Sequence, residues 1–187
     1  MIEDQNDVQD VSRRNLIAGI AAGGLVAALP GTATAGRLTM PHYKIHMVNA
    51  HTNEKFHGVY RIGNRYLPDA VRKINSFMRD FRTGDVRSMD PKLLDILASL
   101  QVRSRQQNPI EIFSGYRSPK TNAMLRKTSS GVAKKSYHMK GKAADLHIPG
   151  YSTSRLREIA CDLGVGGVGY YPRSNFIHVD TGDVRTW

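Results

Sequence analysis

At 187 residues, with 40% apolar and 23% charged side chains, the chain has the composition of one folded domain and not of a disordered segment. Its 27 Lys and Arg against 16 Asp and Glu give a net charge of +11, which points to a polyanionic partner: nucleic acid, an anionic membrane surface or an anionic wall polymer. The single cysteine, Cys161, excludes an intramolecular disulfide framework and a cysteine-rich zinc ribbon, and no apolar run of about 20 residues follows the N-terminal region to make a polytopic membrane protein.

Residues 1–35 read as an address. A polar, acidic start leads to Ser12-Arg13-Arg14-Asn15-Leu16-Ile17 and an apolar run from Leu16 to Leu29, which Pro30-Gly31 breaks. Ala33-Thr34-Ala35 then offers the small residues of a signal-peptidase site. At about 1.5 Å per residue the run spans only about 21 Å of a hydrocarbon core near 30 Å, so a cleaved signal is favoured over an anchor. The paired arginines resemble a twin-arginine signal, with Leu16 where Phe is commoner. Cleavage removes Arg13 and Arg14 against Glu3, Asp4, Asp7 and Asp10, and leaves a domain over 36–187 with a net charge of +13. A periplasmic location, with no membrane span after cleavage, turns the expected partner from nucleic acid to an anionic cell wall.

In the mature region, residues 42–50 alternate as a strand, and Gly63-Asn64 between two β-rich runs in 56–67 signals a hairpin. A helical period over 67–81 places Ala70, Val71, Ile74, Phe77, Met78 and Phe81 on one face. Asp90-Pro91 opens a second helix with the stripe Leu93, Leu94, Leu97 and Leu100. A strand at 109–113 ends in Ser114-Gly115-Tyr116-Arg117, a helix covers 119–128, and 128–142 is a basic, Gly/Ser-rich loop. A strand at 143–148, a helix at 153–163 capped by Ser152 or Thr153, and strands at 165–171 and 175–181 complete the order. This order predicts an α+β fold with a small antiparallel sheet and helices packed on it. Cys161 reads as an inert thiol on a helix face.

The chemistry concentrates in Ser136-Tyr137-His138-Met139-Lys140-Gly141-Lys142-Ala143-Ala144-Asp145 and in His178, within a short strand. Two histidines and one carboxylate are a familiar ligand set for a catalytic zinc, with the fourth position left for water. A lone strand histidine is ordinarily a satisfied core residue, so spacing alone says little. His42, His46, His51 and His57 have no ligand spacing.

The ten-residue string matches S-x-H-x-x-G-x-A-x-D at every fixed position, and so resembles the M15-like zinc peptidases, the D-alanyl-D-alanine carboxypeptidase and hedgehog-like fold family. SGYRSP, LRKTSSGVAKKSYHMKGKAAD, GGVGYY and FIHVDTGDVRTW extend the resemblance to the murein endopeptidases of that family, from about residue 42 to Trp187. The resemblance implies a zinc cleft, with His138, Asp145 and His178 as ligands of one Zn2+ and Arg117 contacting substrate or the developing oxyanion. It implies hydrolysis of peptide cross-links in peptidoglycan, including links between two diaminopimelate residues. Tyr116 and His147 join Arg117 as expected substrate contacts, with His147 alternatively a donor to a carboxylate or a partly exposed strand histidine, and Tyr170 and Tyr171 either wall a groove or pack.

The family's Glu three positions before the last ligand is replaced here by Asn175. Asp180 shares a strand face with His178; it either takes a proton from water or only orients His178. The cations Arg126, Lys127, Lys134, Lys135, Lys140 and Lys142 either form a solvated loop or draw in stem-peptide carboxylates. The expected protein is a monomeric peptidoglycan endopeptidase. A stem-peptide carboxypeptidase and a wall-binding module without turnover stand as alternatives.

Overall fold

The computed structural model describes residues 40–129 and 131–187; the expected signal segment lies outside them. In chain order the elements are β1 (His42–Asn49), β2 (Lys55–Ile62), β3 (Arg65–Tyr66), α1 (Pro68–Phe77), α2 (Pro91–Ser104), β4 (Ile110–Ser114), α3 (Pro119–Thr128), β5 (Ala143–His147), α4 (Thr153–Asp162), β6 (Gly167–Tyr171), β7 (Phe176–Asp180) and β8 (Arg185–Thr186). Short 3-10 turns at Tyr137–Lys140 and Pro172–Ser174 interrupt the loops before β5 and β7.

Local chemistry explains the helix starts. Asp90 Oδ1 accepts from the Lys92 amide at 3.0 Å with Pro91 behind it, and Ser118 Oγ accepts from the Thr121 amide at 3.2 Å with Pro119 behind it. Ser152 is the cap that opens α4. α1 is shorter than its apolar period suggests. It ends at Phe77, and Phe81 leaves the stripe to stack on His51 at 3.9 Å between ring centroids.

The α+β class holds, but the sheet is neither small nor purely antiparallel. Eight strands run in the order β3-β2-β1-β4-β5-β7-β6-β8, with β1/β4 and β6/β8 parallel. The route from β1 to β4 passes through two helices, long enough to bring the chain back in the same direction. The turn after β7 reverses the chain once, so β8 runs with β6.

Helices α2 and α4 lie against each other and against β1, β6 and β7. Leu93, Leu94, Leu97, Leu100 and Leu156 form one buried cluster with Ile45, Met47, Ile112, Ala144, Leu146, Ile177 and Val179 of the sheet. Cys161 packs on the edge of this cluster. The strand period of two sends the alternating residues Asp145 and His178 to the opposite face. Register then aligns Ser114, Asp145, His178 and Gly169 in one row across β4, β5, β7 and β6. Asp145 and His178, the middle of that row, line the cleft.

Candidate metal centre and cleft

His138 sits on the 3-10 turn that Ser136 opens, its Oγ accepting from the His138 amide at 3.3 Å, and that ends at Gly141. The motif spacing is therefore that of a capped turn that delivers the imidazole over β5. His138 Nε2 lies 3.2 Å from Asp145 Oδ1 and 3.2 Å from His178 Nδ1, and His178 Nδ1 lies 2.8 Å from the same carboxylate oxygen. All three side chains are largely withdrawn from solvent. Among the described residues this is the one group of three or more such side chains able to hold a metal ion, and the structure carries no ion to show which.

The outer atoms of both rings are already engaged. His138 Nδ1–H donates to the Gly115 carbonyl at 2.8 Å, and His178 Nε2–H donates to Asp180 Oδ2 at 3.0 Å. Those bonds leave His138 Nε2 and His178 Nδ1 turned inward as acceptors, facing each other and a carboxylate. Converging buried lone pairs are costly unless a cation sits among them. Burial lowers the His178 pKa, but hydrogen bonds and charge from Asp145 and Asp180 push it up to about 9, so without a metal a second proton takes the inward Nδ1 and the site favours positive charge. Burial also works against the Asp145 charge, yet the two imidazoles hold that carboxyl well below the usual range. The residues present thus fit one divalent metal.

Asp180 lies on the far side of the His178 ring from this centre. Its carboxylate is 1% exposed and accepts from His178, from the Gly167 amide at 3.1 Å, from the Gly182 amide at 2.8 Å and from Arg185 Nη1 and Nη2 at 3.1 and 2.6 Å. Burial raises its pKa, but His178, Arg185 and the two amides hold it well below the carboxylate range. With every acceptor position occupied, this geometry fits the orienting alternative and not a base acting on water in the cleft. Arg185 was not picked out from the sequence, although it stands in the quoted motif five positions after Asp180.

Arg117 reaches the cleft on the opposite side. Its Nη2 is 3.5 Å from Asp145 Oδ2, and its Nη1 donates to Asn122 Oδ1 at 3.5 Å. Burial lowers its pKa against the pull of Asp145. The loop that carries Arg117 is fixed from below: Asp80 Oδ2 accepts from the Ser118 amide at 2.8 Å, and the Tyr116 amide donates to the Met78 carbonyl at 2.8 Å. Asn122 Nδ2 also donates to the Ala133 carbonyl at 3.2 Å, which ties the basic loop to Arg117. Asn122 carries no sequence signal beyond proximity to SGYRSP, and Asp80, far from it in the chain, carries none.

The cleft holds about 510 Å³ and is lined by Arg117, His138, Asp145, Tyr171, His178 and Trp187, with Lys135 and Arg185 adding charge. Of the six loop cations expected near the site, Lys135 is the one that lines it among the described residues. Two expected substrate contacts do not reach this wall. Tyr116 is 9% exposed and belongs to the core cluster, and His147 turns to Glu111 Oε2 at 3.0 Å, edge-on to Phe113. Tyr171 lines the cleft, whereas Tyr170 packs on the core. Asn175, in the position of the missing Glu, has a left-handed backbone (φ 52°) and an amide bound by the Thr153 hydroxyl. Among the described residues Asp145 is the one acid lining the cleft.

The site is a buried His-Asp-His set able to hold one metal ion, with an arginine beside it, in a cleft on a mixed sheet. Residues 38–187 match the family model described as peptidoglycan L,D-endopeptidase MepK. The chain is 44% identical to the peptidoglycan L,D-endopeptidase MepK of Escherichia coli K12 over 184 residues, which is 97% of this chain and 100% of that protein. It is 43% identical to a probable peptidoglycan L,D-endopeptidase MepK of Haemophilus influenzae over 172 residues, 91% of each chain. The chain belongs to the MepK family of peptidases.

Proposed function

We propose that this protein is a zinc-dependent endopeptidase of the periplasm, with an M15-type peptidase fold, that hydrolyses peptide cross-links of peptidoglycan during cell-wall remodelling. The observation that carries the reading is the inward convergence of His138 Nε2, Asp145 Oδ1 and His178 Nδ1 while the outer ring nitrogens are spent on Gly115 and Asp180. The relatives' names specify an L,D bond as the target. The twin-arginine-type segment in residues 1–35 is the proposed export signal, and no described helix is long and apolar enough to cross a membrane.

A zinc ion held by His138, Asp145 and His178 would polarise the scissile carbonyl and supply hydroxide near neutral pH. The chain's own residues do the rest. Gly115 and Asp180 fix the tautomers and orientation of the two imidazoles. Arg117, held by Asn122, presents its fork beside Asp145, where it orients the substrate carbonyl or a neighbouring carboxylate. Lys135 and Arg185 give the cleft the positive potential that draws in stem peptides rich in carboxylates.

The test is digestion of purified sacculi, with and without a chelator, with products read by mass spectrometry. Loss of cross-linked dimers and a matching gain of monomers, stopped by chelator and restored by zinc, is the expected result. Unchanged muropeptides from zinc-loaded protein would overturn it and leave a wall-binding module.

A further inference from the structure

We infer that Trp187 is a specificity-determining residue: its indole is the platform on which an aliphatic side chain of the substrate, next to the scissile bond on the His178 side, comes to rest. This deepens the endopeptidase reading and rests on it. The row across the sheet runs Ser114, Asp145, His178, Gly169, so Gly169 is the neighbour of His178 on the next strand. The indole covers that glycine. A Cβ added at residue 169 would fall 2.7 Å from Trp187 Cε2, closer than side-chain atoms approach, so any other residue there would lift the ring off the sheet. The centroids of the Trp187 and His178 rings are 5.2 Å apart.

The ring is held firmly yet left open. The Trp187 amide donates to the Val168 carbonyl at 3.2 Å, and the Tyr170 amide donates to the Trp187 carbonyl at 2.9 Å. The indole N–H donates to Tyr171 Oη at 2.8 Å, and Tyr171 is itself stacked on Phe176 at 4.6 Å. Arg185, pinned to Asp180, stands 5.0 Å from the ring centroid. Despite this anchoring Trp187 is 48% exposed and lines the cleft. With its single donor spent, the open surface has only apolar and π character to offer. Apart from Asp145, the charged residues of the wall are the cations Arg117, Lys135 and Arg185. A platform for methylenes flanked by cations selects a side chain with an aliphatic stem that ends in a carboxylate.

Trp187 is the sole tryptophan of the chain, so the intact protein reports on this surface by its own fluorescence. Zinc-loaded protein is mixed with a purified cross-linked muropeptide dimer, and emission is followed before turnover alongside steady-state cleavage by wild type, Trp187→Ala and Trp187→Phe. Zinc content is measured for each. A saturable emission change in wild type is expected, with Trp187→Ala raising KM roughly tenfold while kcat stays within about threefold and zinc is retained. Trp187→Phe should fall between. Unmoved emission at saturating substrate that wild type cleaves, or a Trp187→Ala variant that keeps its KM, would overturn the inference. A fall in kcat or zinc content at constant KM would also overturn it, by making the ring a mere support for His178. If wild type cleaves nothing, the endopeptidase reading fails, while the emission change still decides whether the platform takes the peptide.

Discussion

Two aspartate clusters in this molecule are built from similar parts and do different work. Asp95 accepts from the hydroxyls of Tyr60, at 2.8 Å, and Tyr66, and pairs with Arg61 at 3.1 Å. Asp145 meets His138, His178 and, at 3.5 Å, Arg117. Around Asp95 two hydroxyls donate and the Arg61 guanidinium adds an opposite charge, so the carboxylate is compensated by the chain itself. Around Asp145 each histidine spends one proton outward, on Gly115 and Asp180, and leaves an inward nitrogen for a cation, a place that a second proton takes on His178 when no cation is bound. Counting polar residues would not separate the two clusters; following the protons does. One is a strut between α2 and the outer strands, and the other is the proposed socket for a cation.

The sharpest way to break this contrast is to remove a ligand. His138→Ala and Asp145→Ala should each lose the metal and all detectable cleavage, measured by metal analysis and muropeptide release, whereas Asp95→Asn should keep both and lose about 1–3 kcal/mol of stability in a denaturant titration. Next in size is Arg117→Ala, expected to lower kcat/KM about 100- to 1,000-fold with metal retained, as for loss of one positioned charge on the reacting carbonyl. If Arg117 instead binds a carboxylate remote from the reacting bond, KM will carry the loss and kcat will not.

Asp180→Asn probes the outward side of the socket. It should weaken metal affinity about 10- to 100-fold in a chelator competition. Full affinity with lost turnover would restore Asp180 as a proton acceptor. Asn122→Ala is the mildest change. It frees Arg117 and the Ala133 loop together and should cost about two- to tenfold in kcat/KM, with metal content unchanged.

Much of this was legible in the sequence, for local reasons. The Asp90-Pro91 cap and the Gly63-Asn64 turn announce themselves within a few residues. The S-x-H-x-x-G-x-A-x-D string reads as a ligand motif through its resemblance to the M15-like peptidases, and in the structure a capped turn and the strand after it fix where His138 and Asp145 stand. What was missed depends on distant pairing. The parallel β1/β4 contact and the two-residue β8 have no periodic signal of their own. Tyr116 adjoins Arg117 in sequence, yet the turn after β4 sends the phenol into the core and the guanidinium into the cleft. Strand alternation put Asp180 beside His178 correctly; that Arg185 and two backbone amides exhaust its carboxylate follows only from the closure of β8 onto β6.

The most direct test of the central claim is a zinc titration by calorimetry of metal-stripped wild type, His178→Ala and Asp95→Asn. One tight equivalent for wild type and Asp95→Asn, and none of comparable affinity for His178→Ala, is the predicted outcome. A wild type that takes up no zinc, or a His178→Ala variant that binds it as tightly, would contradict the assignment of the inward-facing cluster as the metal centre.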